Sequence, residues 1–425
     1  MKKNIILFCC AGIMSMSLIS CNGKEKKIDN ATGNELVNVA IDKTTDKLEE
    51  ISTKSFLGLS LNANLKGDFS MVNTTILEQS SYNMEGTSIL TINGNLDTSA
   101  ELQTNLDVDG IRKTPNADIT NTESYMAAKI LGNLSTETEL KFQNNPNLDN
   151  SEKSESKTDQ EHKIYQKGLN LIQYDKVDDN EATAETLLTT DEVNNIASQI
   201  VNVLDAFSGQ VPPVDNSSVS ELINQGTIVS IQTKTDDFLS GKMTANDYLT
   251  FIDETFAEGK LFDNTPQGTR DCVVSLLEVA YEVNPSKYFE YTKITEKKNV
   301  TLNSSFDYTT WKVDLNTKLD AKINAIDTTN PSYLLLSTIK PIIISVLPTV
   351  LNLDYTIKIH SDGYINAMNF DVKVQGTIPG TVLSLIDSSN SNMTLTYNGA
   401  FNGGFGFDVS DDRITIKTLE LPSKD

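Results

Sequence analysis

The residues that could do chemistry in this chain are few. It holds two histidines and four cysteines, against 58 acidic and 35 basic side chains. His162 and His360 are far apart in sequence, and no Gly-x-Ser-x-Gly elbow or His-Glu-x-x-His pair accompanies them. Ser154-Glu155-Ser156-Lys157 and Ser337-Thr338-Ile339-Lys340 match Ser-x-x-Lys, but neither has the Lys-Thr-Gly partner that acyl-enzyme chemistry of that type uses. Carboxylates cluster at Asp107-Val108-Asp109-Gly110, at Asp175 to Asp179 and at Asp408 to Asp412. Oxygen ligands in turns suit Ca²⁺, but none of the three has EF-hand spacing, and acidic turns are expected in so acidic a chain. The sequence therefore predicts no enzyme, no metal and no cofactor. The net charge of −23 also argues against nucleic acid and against charge-driven binding to anionic lipid.

One cysteine stands apart. Lys2 and Lys3 precede a short apolar stretch from Ile5 to Leu18, then Leu18-Ile19-Ser20-Cys21 and the polar run Asn22-Gly23-Lys24-Glu25-Lys26-Lys27. The stretch is too short to span a bilayer and sits where a secretory leader sits. Leu-Ile-Ser-Cys resembles the lipobox of bacterial lipoproteins. That resemblance implies a signal peptide over 1–20, a diacylglyceryl thioether on Cys21 and an acylated new N-terminus. Membrane lipid would then be a partner through Cys21, since two or three chains anchor stably where one does not. It also implies a cell-envelope location, with Asn22 after the lipidated cysteine leaning toward the outer membrane or cell surface. Cys9 and Cys10 would leave with the leader. Cys21 and Cys272 would then remain, with no disulfide between them. Cys272, in an apolar helical context, reads as a small core residue.

Behind these residues the chain alternates between two periods. A polar tether runs over 21–34. Leu36, Val37, Ala40, Ile41, Thr44, Leu48 and Ile51 then predict a helix. Leu57, Leu59, Leu61, Ala63, Leu65, Gly67, Phe69 and Met71 alternate for fifteen residues, the clearest strand signal in the chain. Similar alternation recurs at Leu90–Leu96, Leu102–Val108 and Ala128–Phe142. Residues 143–163 lose all apolar periodicity and predict a mobile loop. A short strand follows near Lys163 to Tyr174. Helices are predicted from Asp191, capped by Thr190, and near Val219–Ile231, Ala245–Ala257 and Cys272–Val283. Alternation then returns: Leu302, Phe306 and Tyr308; Trp311 to Ala325 as a long strand; Leu353 to Ile359; a hairpin at Ser361-Asp362-Gly363; Phe370 to Val374; Met393 to Phe401; and Ile414 to Leu419.

These elements predict an α+β fold: one large, curved antiparallel sheet built from the N- and C-terminal strand regions, with a central helical block on its apolar face. The segments are 35–184, 185–295 and 296–425, with 35–425 forming one composite domain. A lipobox, a tether, alternating strands and apolar covering helices are together similar to the periplasmic lipoprotein-carrier fold and to cell-wall lipoproteins that hold lipids. The similarity implies a binding protein for a hydrophobic ligand such as a lipid. The alternative is a surface-displayed structural or adhesive lipoprotein meeting a protein or glycan.

The stretch 331–352 carries the sharpest ambiguity. Leu335, Ile339, Ile342, Ile343, Val346 and Leu347 share one helical stripe, broken by Pro341 and Pro348 into two or three expected pieces. Apolar stripes at this spacing usually pack into a core. The second reading is a lid over a lipid-sized cavity, with those six residues facing the ligand. Lys340 and the two prolines argue against a membrane span.

Overall fold

The computed structural model describes residues 33–52, 54–79, 84–107, 122–143, 145–193, 195, 233–235, 237–257, 262, 265–296, 299–385 and 387–419. Cys21, the tether to residue 32 and the helix expected over Val219–Ile231 lie outside the described residues, as does most of the helix expected from Asp191.

Eleven antiparallel strands form one open sheet: β1 (Phe56–Gln79), β2 (Met84–Asp107), β3 (Glu123–Phe142), β4 (Asn150–Lys167), β5 (Asn170–Val177), β6 (Asn180–Leu187), β7 (Phe289–Glu296), β8 (Asn299–Phe306), β9 (Val350–Ile359), β10 (Ile365–Pro379) and β11 (Met393–Ser410). Their spatial order is β6-β5-β4-β3-β2-β1-β11-β10-β9-β8-β7. Two meanders thus meet where β1 pairs with β11, from Gly58 opposite Ser410 to Thr75 opposite Met393. At about 3.3 Å per residue, 24-residue strands such as β1 and β2 run for about 80 Å.

Directly paired residues share a face, so the register fixes both faces of the sheet. The odd positions of β1 align with even positions of β2, β3, β4, β8 and β10 and with odd positions of β9 and β11. That face is apolar from β3 to β8. The opposite face is mainly Asn, Ser, Thr, Lys and acid. We call the end carrying Phe56, Asp107 and Ile365 the near end, and the end carrying Gln79, Met84 and Pro379 the far end.

Helix α1 (Gly33–Ser52) lies at the near end of the apolar face. Leu36, Val37, Ala40 and Ile41 pack with Val300, Leu302, Ile357, Ile359 and Ile365. Full burial of such side chains stabilises by about 1.5–3 kcal/mol each. Thr44 locks the helix by accepting from the Ile365 backbone N–H at 2.8 Å. The expected hairpin is present: the His360 N–H donates to the Tyr364 carbonyl, and Gly363 takes φ +98°.

Further helices are α2 (Ala245–Ala257), α3 (Gln267–Glu282), α4 (Tyr308–Ala325), α5 (Pro331–Val346) and the single turn α6 (Gly380–Leu383). None of the described helices is long and apolar enough to cross a membrane. Cys272, Val279, Val283, Leu315, Leu319 and Leu336 form a core between α3, α4 and α5. Of these, α2 and α3 come from the expected central stretch, whereas α4 and α5 follow β8.

Several expectations need correction. Trp311 to Ala325 is helical, not a strand. Two periods compete there: Trp311, Leu315 and Leu319 also recur at four-residue spacing, and the helical set wins. Asp307 caps it by accepting from the Thr310 N–H at 3.0 Å, and Val313, on the discarded alternation, is left exposed. Residues 143–163 are mostly strand β4, entered through a short 3₁₀ turn at Pro146–Leu148. Its first half has no apolar side because β3 holds it through the backbone ladder, with Glu137 opposite Lys153. Of the two prolines expected to divide 331–352 only Pro348 does so: α5 starts with Pro331, after an Asn330 cap, and runs through Pro341, whereas Pro348 lies between its end at Val346 and the start of β9 at Val350. The cap before Asp191 is Thr189, not Thr190: its Oγ accepts from the Glu192 N–H while Glu192 bonds back to the Thr189 N–H.

After β11, residues 413–419 cross the near end of the polar face without joining a ladder. Asn105 stands in for a backbone partner, donating to the Ile414 carbonyl at 2.9 Å and accepting from its N–H at 3.0 Å. Ile416 packs with Tyr125 and Tyr165. The expected final strand is therefore an extended strap.

Candidate functional site

The apolar face changes character along its strands. At the near end Leu57, Leu59, Leu106, Leu302 and Ile357 are buried. Toward the far end the same alternation continues, but Phe69, Ile130 and Leu134 are 38%, 43% and 44% exposed. These side chains have strand neighbours on both sides and still meet solvent.

Five aromatic side chains on this face stand directly opposite a glycine: Phe69 and Gly94, Phe401 and Gly67, Phe142 and Gly86, Tyr397 and Gly376, Phe370 and Gly403. In each pair the ring occupies the space a glycine Cβ would take. Each ring covers its partner's backbone, the pairing known to offset glycine's poor strand propensity. The result is a low apolar floor that runs from mid-sheet toward the far end over β1, β2, β3, β10 and β11. The alternating pattern already contained Gly67 and Gly94, but only the register reveals their aromatic partners.

The six residues of the expected stripe divide. Leu335, Ile339, Ile343 and Leu347 pack against the α3–α4–α5 core around Leu336. Ile342 and Val346 lie outside that core, and Val346 is exposed. Lys340 pairs with Asp320 at 2.5 Å, which ties α5 to α4. A chain of aromatics links these helices to the sheet. Trp311 and Tyr308 contact Phe306, Phe306 contacts Phe289, and Phe289 contacts Tyr355 and Tyr291, the last four all on the apolar face. The Trp311 indole donates to the Val283 carbonyl at 2.9 Å, and the Tyr308 hydroxyl to the Pro348 carbonyl at 2.5 Å. Tyr288, sheltered and bonded to Asp314, has its phenol pushed up to about 12.

The residues singled out for chemistry mostly separate. Ser154 and Lys157 point to opposite faces of β4, so that Ser-x-x-Lys cannot act as a unit. Lys340 is held by Asp320, away from any nucleophile role for Ser337. His360 is stacked on Tyr364 in the hairpin. Cys272 is buried, which pushes its thiol up from the ordinary range. Asp178 sits at φ +55° in the β5–β6 turn, where its neighbours serve the hairpin. No group of three or more metal-ligating side chains converges among the described residues.

One pair was hidden from sequence reading. His162 is not the end of a loop but lies mid-strand on β4, opposite Asp175 on β5. Its Nδ1 is 2.7 Å from the Asp175 carboxylate. Nothing in the sequence links positions 13 apart across an unrecognised hairpin.

The polar face carries an open depression of about 280 Å³ lined by Asn62, Asn64, Glu101, Tyr125, Glu161 and Lys163. Three of the charges that line it are paired: Lys163 with Glu161 at 2.9 Å, and Glu101 with Lys417 of the strap at 2.6 Å. No family model matches the chain, and no curated protein or solved structure is significantly similar to it, so every functional inference comes from its own residues.

Proposed function

We propose that this protein is a non-catalytic lipoprotein of the cell envelope, anchored through lipid on Cys21, that holds a hydrophobic ligand against the apolar face of its sheet. One observation carries the reading. The apolar alternation of β1, β2, β3 and β11 runs on toward the far end, where Phe69, Ile130 and Leu134 still meet solvent. Large apolar side chains kept in water on one face of a sheet point to an interaction site. The flat aromatic–glycine pairs suit a ligand that lies along the sheet without needing deep pockets.

The central helical block belongs over this face in the same reading. Leu188 and Val193 pack on Leu171 and Ile164, both on the apolar side. β6 and β7 are opposite edges of the sheet, so the connection between them has to travel across roughly ten strand spacings of about 4.8 Å. Leu335, Ile339, Ile343 and Leu347 then serve as helix core, with Ile342 and Val346 the two stripe residues left for a lid role. The second reading, a surface-displayed adhesive lipoprotein, draws on the open depression of the polar face.

Native mass spectrometry of the processed protein, purified without detergent, tests the proposal. A co-purifying lipid mass, lost on solvent extraction and regained on adding envelope lipid, is the expected result. A protein that emerges ligand-free and takes up no lipid overturns it. Protease shaving of intact cells tests the location: cleavage at the polar-face loops would favour display instead.

A further inference from the structure

The depression on the polar face follows from the strand register. Asn62, Glu101, Ala127 and Lys163 stand side by side across β1 to β4, and Asn64, Ser99, Lys129 and Glu161 form the next row toward the far end. Ala127 and Ser99 are short among longer neighbours, so a pit opens over them, floored by the chain at Ala63, Ala100 and Ala128. Tyr125 stands beside Tyr165 in the row on the near side. There the strap forms a wall: the Lys417 ammonium lies 6.0 Å from the centre of the Tyr125 ring and pairs with Glu101.

Tyr125 is only 7% exposed, and its ring packs with Tyr165 and Ile416. Its hydroxyl nevertheless makes no hydrogen bond among the described residues, and it is not sealed off from the pit that the residue lines. Burial raises the phenol above its ordinary range, and the charges that act on it belong to Glu101, Lys163, Lys417 and Glu161. The oxygen therefore lies among the groups around the pit, as a fixed donor and acceptor with nothing bound to it in the fold.

The balance of charge narrows the ligand. Lys163 and Lys417 are each paired with a carboxylate, Glu161 and Glu101, and Lys129 stands beside them. An anion entering the pit would meet both carboxylates, and a cation would meet all three ammonium groups. Neutral hydroxyls donate and accept alike, which matches the mixed set of phenol, amide, hydroxyl and carboxylate groups here. At about 280 Å³ the pit is at the small end of ligand sites, which suits a sugar ring. We propose that this pit binds a neutral saccharide, whose hydroxyl groups bond to the Tyr125 hydroxyl and to the amides of Asn62 and Asn64. The site is independent of the hydrophobic-ligand reading, because the pit and the apolar floor lie on opposite faces of the sheet.

Saturation-transfer NMR on the processed full chain tests it. Glucose, galactose and N-acetylglucosamine are the neutral probes, with glucuronate, galacturonate and glucosamine as their charged counterparts. At least one neutral sugar should bind, and more tightly than its charged counterpart. Tyr125→Phe keeps the ring against Ile416 and should weaken that binding roughly fivefold, the effect of one net hydrogen bond. Ala127→Phe fills the pit and should abolish it. Both variants should still bind the dye anilinonaphthalenesulfonate, which reports the apolar face, so a failure here is distinct from a failure of the hydrophobic-ligand reading. The assignment is overturned if no neutral sugar binds, if the charged counterparts bind as well, or if binding persists in an Ala127→Phe protein with native circular dichroism. Should Ala127→Phe not fold, undiminished binding by Tyr125→Phe overturns it alone.

Discussion

The near and far ends of the sheet carry the same pattern on the same strands and do different work. Leu57 and Leu59 lie buried at the start of β1, whereas Phe69, reached by the same two-residue step, is 38% exposed. On β3, Ile130 and Leu134 likewise sit in the open. Apolar alternation therefore specifies which face a side chain takes, but not whether anything covers it. Covering depends on where helices land: α1 lands over β8, β9 and β10 near the hairpin. The near end spends its apolar residues on stability, and the far end keeps them available.

The sharpest way to break this contrast is a matched pair of truncations. Leu302→Ala, in the fully buried cluster under α1, should cost about 2–5 kcal/mol in urea unfolding. Leu134→Ala, on the open floor, should cost well under about 1 kcal/mol while weakening dye binding. Equal costs would mean that both ends are core.

Next in size is Gly94→Val. The new side chain enters space that Phe69 fills, so overpacking should cost about 1–3 kcal/mol. It should also raise the floor and lower the affinity for apolar probes. Unchanged stability and binding would show that the ring does not rest on the glycine.

Asn105→Ala acts on the other face. It removes both bonds to Ile414, and the loss of a buried pair of this kind costs about 1–2 kcal/mol. Limited proteolysis should then cleave within 413–419 while β2 stays protected from hydrogen exchange. A strap as resistant as in the wild type would assign its hold to Ile416 instead.

The smallest difference at neutral pH belongs to Tyr165. Burial and the bond to Glu123 push its phenol up to about 12. The unfolded phenol titrates near 10, so between roughly pH 10 and 12 the folded state holds the extra proton. Its contribution is complete below about 10 and is lost as pH rises toward 12. Tyr165→Phe should flatten that alkaline decline. An unchanged slope would leave the decline to Tyr288 and Tyr364, whose phenols are raised similarly.

Strand-rich architecture was legible where one side of an element is uniformly apolar. The odd residues of β1 announce both strand and face, and Leu36 to Ile41 announce α1. β4 was not legible, because its first half is held by backbone bonds to β3 and its side chains carry no pattern. Trp311 to Ala325 offered two periods, and only the Asp307 cap and the packing against α3 and α5 choose between them. The site was less legible than the fold. Five aromatic–glycine pairs and the His162–Asp175 contact join residues whose adjacency exists only in the strand register, and no local spacing encodes that register.

The seam between β1 and β11 has a consequence for how the molecule is made. It is among the longest pairings in the sheet, and it joins the first of the described strands to the last. β1 to β6 can zip up as local hairpins while the rest of the chain is still being synthesised. β1 then waits with one whole edge bare until Met393 to Ser410 arrives. Non-local pairing of this kind is slow, and a bare 24-residue edge invites the wrong partner. The vulnerable species in this protein's life is thus a half-built sheet, and any factor that escorts it must shield β1 rather than the finished outer strands.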